Sequence, residues 1–135
     1  MGSGDGRAYP SSRRVRYPVY LNLLEIRLPP NALVSILHRV TGVLMILGLG
    51  LLVGLWQWSL TAEGFAALGA GLTSFWGRLA VFLVLWLLLH HLFAGLRYFA
   101  LEFGLGESRE ASVLTAWAVI VAGAVAALAA TAWLL

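Results

Sequence analysis

The sequence has no cysteine, and every one of its nine basic residues is arginine. Without a thiol the chain forms no disulfide, offers no thiolate nucleophile, and holds neither zinc nor an iron–sulfur cluster through sulfur. Charge of either sign is scarce: 11% of the 135 residues are charged, against roughly 25% in soluble domains. In its place stand 61% hydrophobic residues and a mean hydropathy of +0.88. No polar module is large enough to bury a core of its own, and no internal repeat is apparent. Any water-soluble chemistry therefore belongs to partner chains.

What the chain does have is apolar length. A helix needs about 20 predominantly apolar residues to cross the hydrocarbon of a bilayer. Three stretches without Arg, Asp or Glu approach or exceed that length: Val40 to Ala62, Leu79 to Leu96 (interrupted only by His90 and His91) and Ala111 to Leu135. Extended into their flanks, they predict helices near 33–58, 77–101 and 112–134. The expected fold is all-α, an integral membrane domain over 33–135 with three transmembrane helices. Residues 1–16 read as a disordered basic N-terminus, and 17–32 as an approach segment that Pro18, Pro29 and Pro30 keep from being a continuous helix. The third helix is mostly Ala, Val and Leu, with Trp117 and Trp133 near its ends, and reads as a packing helix with aromatic anchors.

Arginine placement gives the topology. Arg7, Arg13, Arg14, Arg16 and Arg27 precede the first helix, which puts the N-terminus in the cytoplasm by the positive-inside rule. The first loop, Ser59 to Trp76, carries Glu63 and no Arg, suiting the far side. Arg97 and Arg109 flank the second loop and return it to the cytoplasm, despite Glu102, Glu107 and Glu110. The C-terminus then falls on the periplasmic side. The net charge of +3 reports this topology and not nucleic-acid binding. The arginine run leads into Tyr17-Pro18 and not into an apolar core with a cleavage site, so it is not read as a secretory signal. Its brevity favours a bacterial inner-membrane chain over a mitochondrial presequence.

Ionisable groups within a bilayer are costly and mark candidate functional sites. On the first helix these are Ser35, His38 and Arg39, at spacings that share a face. On the second, His91, Gly95, Tyr98 and Glu102 form one stripe, and His90, Ala94 and Arg97 the adjacent one. Arg39 and His91 lie roughly 9 and 15 Å from the cytoplasmic helix ends, at 1.5 Å per residue. The two polar sets are thus expected at comparable depth. A histidine deep in a bundle, with a glycine one turn away to admit a flat macrocycle, suits axial ligation of haem iron. Arg39, Arg97 or His38 could neutralise the propionates. A quinone instead needs hydrogen-bond donors at its carbonyl oxygens, which Ser35 and Arg39 supply. Each residue also has a plainer reading. Ser35 could bond back to its own helix, Arg39 could extend to the headgroups, Arg78 and Arg97 could be helix-end anchors, and one of His90 and His91, about 100° apart, is expected to be structural.

Two segments carry a resemblance. Ser35-Ile36-Leu37-His38-Arg39-Val40-Thr41-Gly42 and His91-Leu92-Phe93-Ala94-Gly95-Leu96-Arg97 resemble the signatures of helices 1 and 2 in the larger cytochrome b membrane anchor of succinate:quinone oxidoreductase, respiratory complex II. The likeness runs from about 17 to 104. Tyr98 stands where many relatives have His, and Glu102 where they have Asp. The resemblance implies half of a heterodimeric haem-binding bundle, with no catalysis by this chain alone. His91 would supply one axial ligand to haem b, Ser35 and Arg39 would help bind ubiquinone, and Arg39 would also lie near a propionate. It further implies a second, smaller anchor subunit bearing the other haem ligand, and a flavoprotein that delivers electrons from succinate through an iron–sulfur subunit. Other classes compatible with three polar-bearing helices are a small transporter or channel subunit, and a purely structural anchor without cofactor.

Overall fold

The computed structural model describes residues 27–135. Four helices follow one another: α1 Pro30–Ser59, α2 Ala62–Thr73, α3 Phe75–Glu102 and α4 Arg109–Leu134. No strand occurs among the described residues. α1, α3 and α4 are apolar enough to cross a membrane, and their 30, 28 and 26 residues correspond to about 45, 42 and 39 Å at 1.5 Å per residue. Each exceeds the roughly 30 Å of hydrocarbon, so their ends reach the headgroup layers. Residues 1–16 and most of the approach segment lie outside the described residues.

The spans start earlier than the apolar pattern alone indicates, and capping explains each difference. α1 opens with Pro30 at its first position, where a missing N–H removes nothing from the helix; the Pro29 carbonyl accepts from the amides of Ala32 and Leu33 at 2.9 and 3.1 Å. The Ser74 hydroxyl accepts from the Gly77 amide at 3.1 Å and starts α3 at Phe75. The Ser108 hydroxyl accepts from the Ala111 amide at 3.2 Å and starts α4 at Arg109, with Glu110 in the first turn against the positive helix end.

The Ser59–Trp76 connection, read from sequence as a loop, is mostly the helix α2. Thr61 caps it by accepting from the Gly64 amide at 3.0 Å, and Glu63 lies in its first turn. At the other end the Arg78 guanidinium donates to the Thr73 carbonyl at 3.3 Å, placing a cation at the negative helix terminus. Gly64, Gly69 and Gly71 hide this element in the sequence. Gly64 is required by contact: a Cβ there would overlap the Trp58 carbonyl. After α3, Gly104 and Gly106 adopt φ of 75° and 79°, and the Leu105 amide bonds back to the Ala100 carbonyl at 3.0 Å. This left-handed turn ends the helix and reverses the chain into α4.

α3 is the central element, antiparallel to both of its long neighbours. Its contact with α4 runs along small residues, with Ala94 facing a stripe that includes Ala116, Gly123 and Ala127, all buried. Such residues let backbones approach closely where no hydrophobic force separates helix from lipid. A Cβ on Gly123 would lie 3.2 Å from the His90 Cα. The compact core of Val34, Ala94, Ala116 and Val119, flanked by Phe93, Tyr98 and Ile120, joins α1, α3 and α4 near one end of the bundle. Beyond it α1 is largely uncovered, with Ile46 and Leu47 76% and 71% exposed. That surface is suited to lipid or another apolar helix.

Candidate functional site

The polar residues of α3 divide between its two neighbours. His90, Ala94 and Arg97 are its buried residues and face α4, while His91 and Tyr98 turn toward α1. The one-residue offset between the two histidines separates them by about 100°, and the consequences differ completely. His90 is fully buried, stacks on Trp86 with centroids 5.5 Å apart, and has no hydrogen-bond partner among the described residues for either ring nitrogen. His91 is half-buried and tied to α1 by its ring.

The His91 contacts fix its proton. Its Nδ1 lies 3.1 Å from the His38 carbonyl oxygen and 3.1 Å from Thr41 Oγ1. A carbonyl can only accept, so Nδ1 carries the hydrogen. The Thr41 hydroxyl spends its own hydrogen on the same His38 carbonyl, at 3.0 Å, and is left to accept from His91. A neutral imidazole with its hydrogen on Nδ1 presents a bare lone pair at Nε2. That nitrogen has no partner among the described residues and is not sealed from the surface. Close approach is possible because Gly42 lacks a side chain: a Cβ there would lie 3.0 Å from the His91 Cε1.

His38 stacks on His91, with centroids 4.1 Å apart and planes 17° from parallel, and meets the Tyr98 ring at 5.4 Å. The bare backbone of Gly95 sits beside the same ring, since a Cβ there would be 3.7 Å from His38 Nε2. His38, His91, Gly42, Gly95 and Tyr98 therefore form one cluster between α1 and α3. Ser35 and Arg39 lie on α1 one turn apart. Ser35 is half-buried and its hydroxyl bonds to no described residue, while Arg39 is exposed at a shallow groove lined by Val40, Val43 and Leu44.

Arg97 occupies a different position, between the helices. Its Nε donates to Thr115 Oγ1 at 3.1 Å, and its Nη2 to Asn31 Oδ1 at 2.8 Å, the Ser112 carbonyl at 3.0 Å and Ser112 Oγ at 3.2 Å. One buried guanidinium thus joins α1, α3 and α4. Its Nη1 makes no bond to a described residue. Sequence reasoning did not single out Asn31, Ser112 or Thr115. The i, i+3 pair of hydroxyls at the start of α4, opposite an arginine at the end of α3, is the signal that could have found them.

The register is consistent along the α1–α3 pair. Asn31 meets Arg97, and seven residues deeper His38 meets His91, six residues back along α3. The Arg97 clamp and the histidine pair are therefore about 10 Å apart along the helix axes. The arrangement offers a lone-pair nitrogen on His91 with the His38 imidazole stacked beside it, a buried guanidinium further along α3, and on α1 a hydroxyl that bonds to no described residue one turn from the exposed Arg39.

Comparison with known proteins leads to the family suggested by the Ser35–Gly42 and His91–Arg97 segments. The family model described as succinate dehydrogenase/fumarate reductase transmembrane subunit matches residues 13–130. The succinate dehydrogenase cytochrome b556 subunit of Coxiella burnetii (strain RSA 493 / Nine Mile phase I) is 35% identical over 119 residues, which cover 87% of this chain and 95% of that protein. The chain is thus a multi-pass membrane protein and belongs to the succinate dehydrogenase/fumarate reductase transmembrane subunit family.

Proposed function

We propose that this chain is the cytochrome b anchor of a succinate dehydrogenase, supplying one axial ligand to haem b and part of the site where ubiquinone is reduced. The observation that carries the reading is the His91 ring, whose Nδ1 is committed to acceptors on α1 and whose Nε2 lone pair meets no partner among the described residues. Metal-ligating histidines characteristically donate their other ring N–H to a carbonyl in this way. The donor set fits a haem: one oriented imidazole, with the His38 imidazole and the Arg39 guanidinium near enough in sequence and depth to offset anionic propionates. Arg97, with Nη1 uncommitted, is a further propionate contact in this reading.

When bound, a haem would supply a one-electron couple. This chain has one suitably oriented histidine, so a second ligand to the iron would have to come from the smaller anchor subunit. Ser35 Oγ and the Arg39 guanidinium donate to a ubiquinone carbonyl and hold the charge that develops on its oxygen as it is reduced. Electrons from succinate reach the site from the flavoprotein through the iron–sulfur subunit, on the cytoplasmic side of a bacterial inner membrane. The N-terminus is on that side too, and the C-terminus is periplasmic.

Arg39→Ala tests the quinone half of the proposal. In the assembled complex it should depress succinate–ubiquinone reductase activity by about 100-fold, the upper range for losing one charged donor. Succinate oxidation with a soluble artificial acceptor should be unchanged. Equal survival of both activities would remove Arg39 from the site.

A further inference from the structure

The atoms behind His91 do more than tether it. Thr41 is completely buried in the α1–α3 interface. Its hydroxyl stands between an acceptor and a donor: it donates to the His38 carbonyl at 3.0 Å and receives the His91 Nδ1–H at 3.1 Å. The same Nδ1–H is shared with that carbonyl at 3.1 Å. The three groups form a closed triangle in which both oxygens draw on one N–H. A hydroxyl that is itself donating to a carbonyl is a stronger acceptor, because hydrogen bonds in a chain polarise one another.

We propose that Thr41 is a positioning residue for the haem ligand, fixing the plane of the His91 imidazole and, by drawing on Nδ1–H, raising the electron density at Nε2. The inference rests on His91 being the axial ligand. A more electron-rich imidazole favours oxidised over reduced iron, and hydrogen bonding behind an axial ligand is one of the levers by which a protein sets a haem potential. Thr41 holds the haem on the low-potential side of the value it would have with the His38 carbonyl alone. Gly42 belongs to the same device, because the missing side chain lets the ring reach both oxygens.

The test compares Thr41→Val, Thr41→Ala and Thr41→Ser in the assembled complex. Haem content, the midpoint potential from a spectroscopic redox titration, and the low-field EPR g value of the low-spin ferric haem are measured for each. Val preserves volume but removes the hydroxyl, and Ser restores the hydroxyl without the methyl. The proposal expects haem at the parent stoichiometry in all three, a more positive potential with a displaced g value in Val and Ala, and parent values in Ser. Parent-like potential and g value in Val and Ala would overturn it. So would a Ser variant that behaves like Val, since the methyl and not the hydroxyl would then matter. Loss of assembly in both hydroxyl-free variants would make Thr41 a folding residue and overturn it as well. Failure of the ligand reading itself has a separate signature: His91→Ala would keep an unaltered low-spin haem.

Discussion

Arg97→Ala should loosen the bundle, and the magnitude of the loss can be worked from the bonds it removes. Arg97 donates to three residues, Asn31 on α1 and Ser112 and Thr115 on α4. Interhelical hydrogen bonds in membranes are each worth about 0.6 kcal/mol on average and up to about 1.7 kcal/mol, which bounds three partners at about 2–5 kcal/mol. The α4 partners retain one another, because the Thr115 hydroxyl still donates to the Ser112 carbonyl at 3.1 Å. The expected loss is therefore about 2–4 kcal/mol, or roughly 30- to 700-fold in the unfolding equilibrium. Asn31→Ala removes only the link to α1 and should cost about 1–2 kcal/mol. Denaturation of the purified protein in mixed detergent micelles with increasing dodecyl sulfate, followed by circular dichroism, measures both. Because the pair is in contact, the double variant should fall short of additivity by about 0.5 kcal/mol or more. Unchanged stability in Arg97→Ala, or strict additivity with Asn31→Ala, would refute the clamp.

The other helix contacts give further expectations. Gly123→Leu forces a side chain against the His90 backbone and should destabilise α3–α4 packing by about 1–3 kcal/mol, measured by the same denaturation; Gly123→Ala should be milder. His90→Leu removes a buried imidazole that has no partner among the described residues, so haem absorbance should persist and stability should hold or rise by up to about 1–3 kcal/mol.

The three spans were legible because lipid imposes one rule on twenty consecutive residues, and Leu, Val and Ala satisfy it without regard to tertiary contacts. Their starts were less so, since Pro30, Ser74 and Ser108 act through single capping bonds that hydropathy does not register. α2 escaped notice because three glycines in twelve residues look like a loop until Thr61 and Arg78 are seen at its two ends. Spacing on α3 separated His91 from His90 and correctly grouped His90, Ala94 and Arg97 on one stripe. It could not say which stripe met α1, because that depends on where Gly123 admits the α3 backbone. Thr41 lay inside a recognised segment without a role. Its part emerges only when two helices place one hydroxyl and one carbonyl on the same ring nitrogen.

Whether His91 ligates haem iron is read from the reduced-minus-oxidised absorbance of the purified complex bearing His91→Ala. The low-spin haem b spectrum should be lost or severely altered, while His90→Leu, one residue away, should retain it. A low-spin spectrum in His91→Ala indistinguishable from that of the parent complex would rule His91 out as the iron ligand.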